Sequence, residues 1–180
     1  MIGVAVEWTA IETYLPITDD PQFRRSLGVL LGPPILEGNK VEVLLNGDQI
    51  FPAMLDAIRS AESMIDFATY VYWTGDIAVE FADALCDRAR SGVRVRILLD
   101  AVGAQAMNKD LVPKMEDAGC QVVFFHDNGL RNIGLLNNRD HRKLLVVDGR
   151  VGFTGGVGIA NVPLKTAVRA QPRFNWSKGW

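Results

Sequence analysis

The sequence predicts an α/β fold: a mixed, mainly parallel β-sheet flanked by helices on both faces. Three observations carry that prediction. Short runs rich in Val, Ile, Leu and Phe alternate with stretches whose apolar residues recur at helical spacing. Several of these runs are nearly continuous in apolar character, as buried strands are. Gly, Asn, Asp or Ser punctuates the boundaries between them. At 180 residues and 48% hydrophobic content, the chain can bury one core of ordinary domain size.

Residues 1–38 close on "LGPPILEG" and read as an irregular lead-in; the regular pattern occupies 39–160. "KVEVLLNG" is the first strand. Asp48 is placed to cap the helix that follows, where Phe51, Leu55 and Ile58 fall at i, i+4 and i+7. Pro52 lies near its first turn, where a missing N–H is tolerated. "SMIDFATYVYW" is the second strand. Asp76 then caps a helix with Ile77, Phe81 and Leu85 on one side, stopped by Ser91-Gly92. "VRVRILLD", the short helix "KDLVPKMEDAG" ending on Gly119, and "CQVVFF" continue the alternation, with right-handed crossovers expected. "HRKLLVV" and "RVGFTGG" are the arms of a hairpin around Asp148-Gly149. Residues 161–180 carry two prolines, no acid and no clear period, and do not read as a continuation of the sheet.

Net charge is −2, which points to no polyanion partner. Its distribution is uneven. Residues 131–150 carry a local +3 and residues 161–180 a local +4, leaving about −9 on the rest. An acidic body with a basic patch around the hairpin suits a small anionic group better than a nucleic-acid groove. Ordinary surface scatter accounts for the same counts, and both readings stand. Cys86 and Cys120 lie inside helix and strand patterns without metal-type spacing, and read as reduced core residues. The first residues lack a basic start and include Glu7 and Glu12, so neither a signal peptide nor a membrane span is expected there.

Side chains alternate along a strand, so His141 and Lys143 share one face, about 7 Å apart at the backbone. Arg142 and Asp148 point to the other. Lys rarely faces inward without an anion or a partner. Neutral imidazole can attack phosphorus or move a proton; an ammonium stabilises charge on phosphoryl oxygens. Gly155 and Gly156 let backbone approach a ligand closely. The residues alone also fit a surface hairpin with an incidental histidine and a glycine kink. His126, in "FFHDNG", has no lysine two residues on and reads as a loop or helix-end histidine.

H-x-K, four residues, Asp, six residues and a Gly-Gly pair resembles the signature of the phospholipase D superfamily. His141, Lys143, Asp148, Gly155 and Gly156 stand at those spacings. Together with "GNKVEVLLNGDQIFPAMLDAIRSAESMIDFATYVYW" and "GVRVRILLDAVGA", the string resembles the first catalytic half of bacterial cardiolipin synthase-like proteins, from about Gly38 to Ala160. The resemblance implies two halves packed face to face, each giving one histidine and one lysine to a shared site. It implies a phospholipid substrate, a covalent phosphohistidine, no metal and no cofactor. The second half comes from another segment or a homodimer.

By position His141 is then the nucleophile, Lys143 the phosphate clamp, and Gly155 and Gly156 part of the phosphate site. The signature also brings Asp148 into the catalytic set, although fixing the hairpin turn accounts for it equally. The expected location is cytoplasmic or peripheral to the bacterial inner membrane. The sequence departs from the family pattern in two places. Gly158 stands where many members have an Asn that binds phosphate, with Asn161 nearby, and there is one H-x-K in the 180 residues. The last twenty residues read either as a truncated or frame-shifted end, or as a basic, aromatic surface segment of the kind that favours a membrane interface. The competing functions are a single-motif phosphodiesterase or nuclease active as a homodimer, and an inactive phosphate-binding fragment.

Overall fold

Pro is favoured at the first position of a helix and Gly just past its end, and the lead-in has both. The computed structural model, which describes residues 21–32, 38–125, 139–160 and 170–175, accordingly places a helix at Pro21–Leu31 (α1). Gly32 follows it at φ +86°, its N–H donating to the Gly28 carbonyl at 3.0 Å. The lead-in is therefore not irregular throughout. The chain divides into two units, Met1–Gly38 and Asn39–Trp180, and α1 belongs to the first. The expectations for residues 1–20, His126 and Asn161 lie outside the described residues.

The second unit runs β1 (Lys40–Leu45), α2 (Asn46–Arg59), β2 (Met64–Thr69), α3 (Asp76–Arg90), β3 (Arg94–Asp100), α4 (Leu111–Asp117), β4 (Gln121–Phe125), β5 (Leu144–Val147), β6 (Val151–Thr154) and β7 (Ala170–Asn175). The strands form one mixed sheet in the order β1-β7-β6-β5-β2-β3-β4. β2, β3 and β4 pair in parallel, joined by helical crossovers. The other pairings are antiparallel, since β5 and β6 are the arms of the predicted hairpin and β7 lies between β6 and β1. Asp148 and Gly149 adopt φ +53° and +64°, and the Arg150 N–H closes the turn onto the Val147 carbonyl at 3.0 Å.

β7 corrects the reading of the last twenty residues, part of which does continue the sheet. Its Pro172, opposite Val43, lacks the N–H that an inner strand normally donates, which is why the local sequence argued against a strand there.

α2 packs on α3, and α3 on α4. Beneath them lie Ile65, Phe67, Val95, Ile97, Leu99, Leu145, Val147 and Phe153, all buried, with Leu55, Ile58, Phe81 and Leu85 from the helices. Each such side chain contributes about 1.5–3 kcal/mol by leaving water. Phe81 stacks on Phe67 at 6.1 Å and meets Phe51 edge-on at 6.0 Å. Helices were expected on both faces; within the second unit α2, α3 and α4 cover one. The β2-α3-β3 and β3-α4-β4 crossovers advance the same way across the sheet, so one handedness lays both helices on the same side. The other face carries the Asp66–Arg96 ion pair, Ala68, Leu98 and exposed Val41, Val43, Val123 and Leu144.

Two expected caps are also corrected. The N-cap of α2 is Leu45, and Asp48 sits inside the first turn; Gln49 reaches back to accept the Leu45 N–H at 2.8 Å. α3 is preceded by Gly75 at φ +135°, which leaves Asp76 as the first helical residue. Both carboxylates still favour the positive helix end. Cys86 and Cys120 are free and buried, as the sequence indicated, and burial pushes both thiols up, that of Cys120 to about 12.

Candidate active site

Parallel strands present their C-terminal ends together, and ligands of α/β sheets bind beyond those ends. Here β2 ends at Thr69, with Tyr70 next, and β3 ends on Asp100. The antiparallel register Ala68↔Leu144 brings the start of β5 to that same edge, so His141, Arg142 and Lys143 run in beside Tyr70. Thr154 pairs with Leu144, which sends Gly155 and Gly156 out at the same edge. Four chain segments thus converge on one end of the sheet.

His141 and Lys143 lie just before β5 rather than within it, yet they meet as alternation predicts. Lys143 is buried, 6% exposed, and His141 is exposed. The Lys143 Nζ lies 3.0 Å from Nδ1 and 3.1 Å from Nε2 of His141, and donates to the His141 carbonyl at 2.8 Å. Near-equal distances to both ring nitrogens put the ammonium over the ring instead of along one lone pair. Tyr70 completes the cluster. Its ring centroid is 4.7 Å from that of His141 and 5.4 Å from Nζ, so the ammonium also faces an aromatic π-cloud. An arriving anion can draw on this cation, which here faces a carbonyl and two rings.

Around this pair the wall is charged. Asp140 is buried and binds the Arg142 guanidinium through both oxygens at 2.8 Å, which holds its carboxyl below the usual range. Phe125, Arg139, Asp140, His141 and Arg142 line a shallow depression of about 530 Å³. Asp100, 1% exposed, accepts hydrogen bonds from the loop after β3 and from Asp140. Among the described residues, no three His, Cys, Asp or Glu side chains gather as a metal site.

The residues matched by the family model described as "Cardiolipin synthase, PLD-like domain" are 54–164. The chain belongs to this PLD-like family. It is 35% identical to cardiolipin synthase 1 of Bacillus anthracis over 133 residues, 72% of this chain and 26% of that one. It is 36% identical to cardiolipin synthase B of Escherichia coli (strain K12) over 125 residues, 67% of this chain and 30% of that one. The chain therefore spans between a quarter and a third of the curated synthases it matches. In fold it resembles Nuc of Salmonella typhimurium, a phospholipase D family member, with a TM-score of 0.59 at 19% identity, covering 77% of this chain and 85% of that one.

Within the PLD-like signature the structure separates Asp148 from the other two polar residues. It lies at the far end of β5, beyond Val147, where its carboxylate accepts N–H groups of Glu62, Ser63 and Met64 at 2.8–2.9 Å and the Ser63 hydroxyl at 2.8 Å. Burial pushes this carboxyl up, but the four donors outweigh it and hold it below its usual range. Asp148 thus staples the β5–β6 turn to the entrance of β2. Asp148→Ala is expected to cost about 3 kcal/mol at pH 7, from charged hydrogen bonds lost and left unsatisfied. A carboxyl with a depressed folded-state pKa stabilises the fold above its unfolded value of about 3.9, and less as pH falls through the folded value. The wild-type advantage in urea unfolding should therefore shrink between pH 5 and pH 2.

Gly156 has open space where a side chain would stand. Gly158 has none: a Cβ there would lie 2.5 Å from Cβ of Val71. The segment is held close because Ile159 bonds Val71 and Trp73 through its backbone at 2.9 Å each. The sequence reading missed Tyr70, Asp100 and Asp140. A carboxylate ending the apolar run "RILLD" was the one signal available for Asp100.

Proposed function

We propose that the chain carries a half-site for phospholipase D-type transfer or hydrolysis of phospholipid phosphodiesters, as a cardiolipin synthase-like phosphatidyltransferase. The observation that carries it is the contact of His141 with Lys143 at the open edge of the sheet. In this reading an imidazole nitrogen of His141 attacks phosphorus, and the P–O bond to the first alcohol breaks as the P–N bond forms. A second histidine protonates the departing alkoxide. It then takes the proton of the acceptor, an alcohol or water, which displaces His141 from phosphorus. Lys143 neutralises charge on the non-bridging oxygens. Gly155 and Gly156 leave that end of the hairpin accessible to the phosphate. Asp148 acts through the fold.

The second histidine would come from a second half of the same kind. The one H-x-K motif here and the 26–30% coverage of the synthases support a composite site. A homodimeric phosphodiesterase is the second reading, supported by the one H-x-K motif in the 180 residues. Two copies of His141 would then face each other across a two-fold axis. A lipid substrate would bring the protein to a membrane surface; among the described residues no helix is long and apolar enough to cross one.

Phosphatidylglycerol labelled at its phosphorus, incubated with the purified chain and quenched in base, is expected to leave the label on the His141 peptide. His141→Ala should carry none. Turnover of the lipid with no label on His141 would overturn the covalent route. Absence of both label and turnover at every protein concentration would leave a phosphate-binding module. Mass in solution, measured alongside turnover, separates the two composite sites.

A further inference from the structure

We propose that Asp100 is a positioning residue that fixes the imidazole of His141 from two sides at once. One carboxylate oxygen, Oδ2, accepts the N–H of Asp140, the residue before His141, at 3.1 Å. The other, Oδ1, accepts the N–H groups of Val102 and Gly103 at 2.9 and 3.0 Å. Gly103 lies against Tyr70, so closely that a Cβ on it would reach the Tyr70 carbonyl oxygen and ring. The Tyr70 ring in turn lies against the His141 ring, tilted at 47°, with centroids 4.7 Å apart. The backbone before the imidazole and the ring beside it are therefore referred to the same carboxylate.

Three further observations fit a positioning role. The Asp100 side chain is fully buried and ends a strand at the centre of the parallel part of the sheet, which makes it a rigid anchor. Asp140 and His141 lie outside any strand or helix, so no ladder holds them. The Arg139 guanidinium, 3.7 Å from Oδ1, adds an ion pair on the segment that Asp100 holds. Asp100 acts on the imidazole through Asp140, Gly103 and Tyr70.

Asp100→Asn isolates the effect. The amide oxygen can still serve Val102 and Gly103, but the amide nitrogen then faces the Asp140 N–H, donor against donor. The readout is the His141 ring proton resonance in the purified chain, assigned by its loss in His141→Ala. In wild type the Tyr70 ring holds it upfield, and Tyr70→Leu should release it. In Asp100→Asn it should move toward the position of free histidine. A His141 resonance unmoved by Asp100→Asn in a folded protein overturns the proposal.

A second measurement needs no variant. The Asp140 amide of wild type should exchange with solvent about 100-fold more slowly than an unprotected amide, although it belongs to no ladder. Exchange at the unprotected rate equally overturns the proposal. The kinetic consequence rests on the phosphodiester reading above: kcat should fall about 10- to 100-fold with KM within twofold, as for a displaced catalytic group. A moved resonance without any lipid turnover in wild type would sustain the positioning role and sink that reading instead.

Discussion

Replacing His141 with alanine is expected to lower phospholipid turnover by about 10⁴-fold or more, because the proposed covalent route has no substitute for its nucleophile. Lys143→Ala should follow at about 10²- to 10³-fold, or roughly 3–4 kcal/mol of transition-state stabilisation, the loss typical of one well-placed charge partner. Lys143→Arg should not rescue. Lys143 is buried between the His141 carbonyl, the imidazole and the Tyr70 face, in a space shaped for a compact ammonium. A planar guanidinium is broader and directs its donors in one plane, which the carbonyl and the two ring faces do not match. Steady-state turnover with each variant, at matched protein concentration, checks the order. Equal activity of His141→Ala and wild type would remove His141 from the chemistry. Asp148→Ala should behave differently: it lies at the other end of β5, so residual activity should track the folded fraction.

The contrast between these residues shows what the sequence could convey. His141 and Lys143 are two apart, and strand alternation is enough to put them on one side, even though both precede the strand proper. The Asp148-Gly149 turn was equally local, a dipeptide with a strong backbone preference. Tyr70, Gly103 and Asp100 belong to two other segments, and only the sheet register brings them to His141. The strands and helices of residues 39–125 were legible for the same reason the pair was: their period is local. What was not legible depends on tertiary choice. Asp48 looks like a cap, but the chain enters α2 one turn earlier, at Leu45, with Gln49 supplying the return bond. β7 is held between β1 and β6 by long-range pairing despite Pro172, and nothing in its own residues announces a strand. One-sided helix packing follows from the shared direction of two crossovers, a property of the connection order rather than of any segment.

Gly103→Ala is expected to destabilise the fold by at least about 3 kcal/mol, more than most single substitutions. An added Cβ would stand 2.0 Å from the Tyr70 carbonyl oxygen, 2.8 Å from its carbonyl carbon and 2.9 Å from its Cδ2. No rotamer relieves contacts with backbone atoms, so one segment has to move. Neither moves cheaply. The Gly103 N–H is fixed on Asp100 and its carbonyl accepts the Trp73 indole N–H at 3.0 Å, while Tyr70 directly follows β2. For a chain of this length each kcal/mol lowers Tm by about 2–4 °C, so a fall near 10 °C is expected in thermal unfolding. Gly156→Ala is the control, since the space beside it is open, and it should stay within about 0.5 kcal/mol of wild type. The same displacement has a consequence at the site. Whatever moves Tyr70 away from Gly103 also moves the ring against which His141 lies, so the molecules of Gly103→Ala that remain folded should turn over more slowly than wild type. Full activity per folded molecule would show that the Tyr70 ring is not needed where it stands.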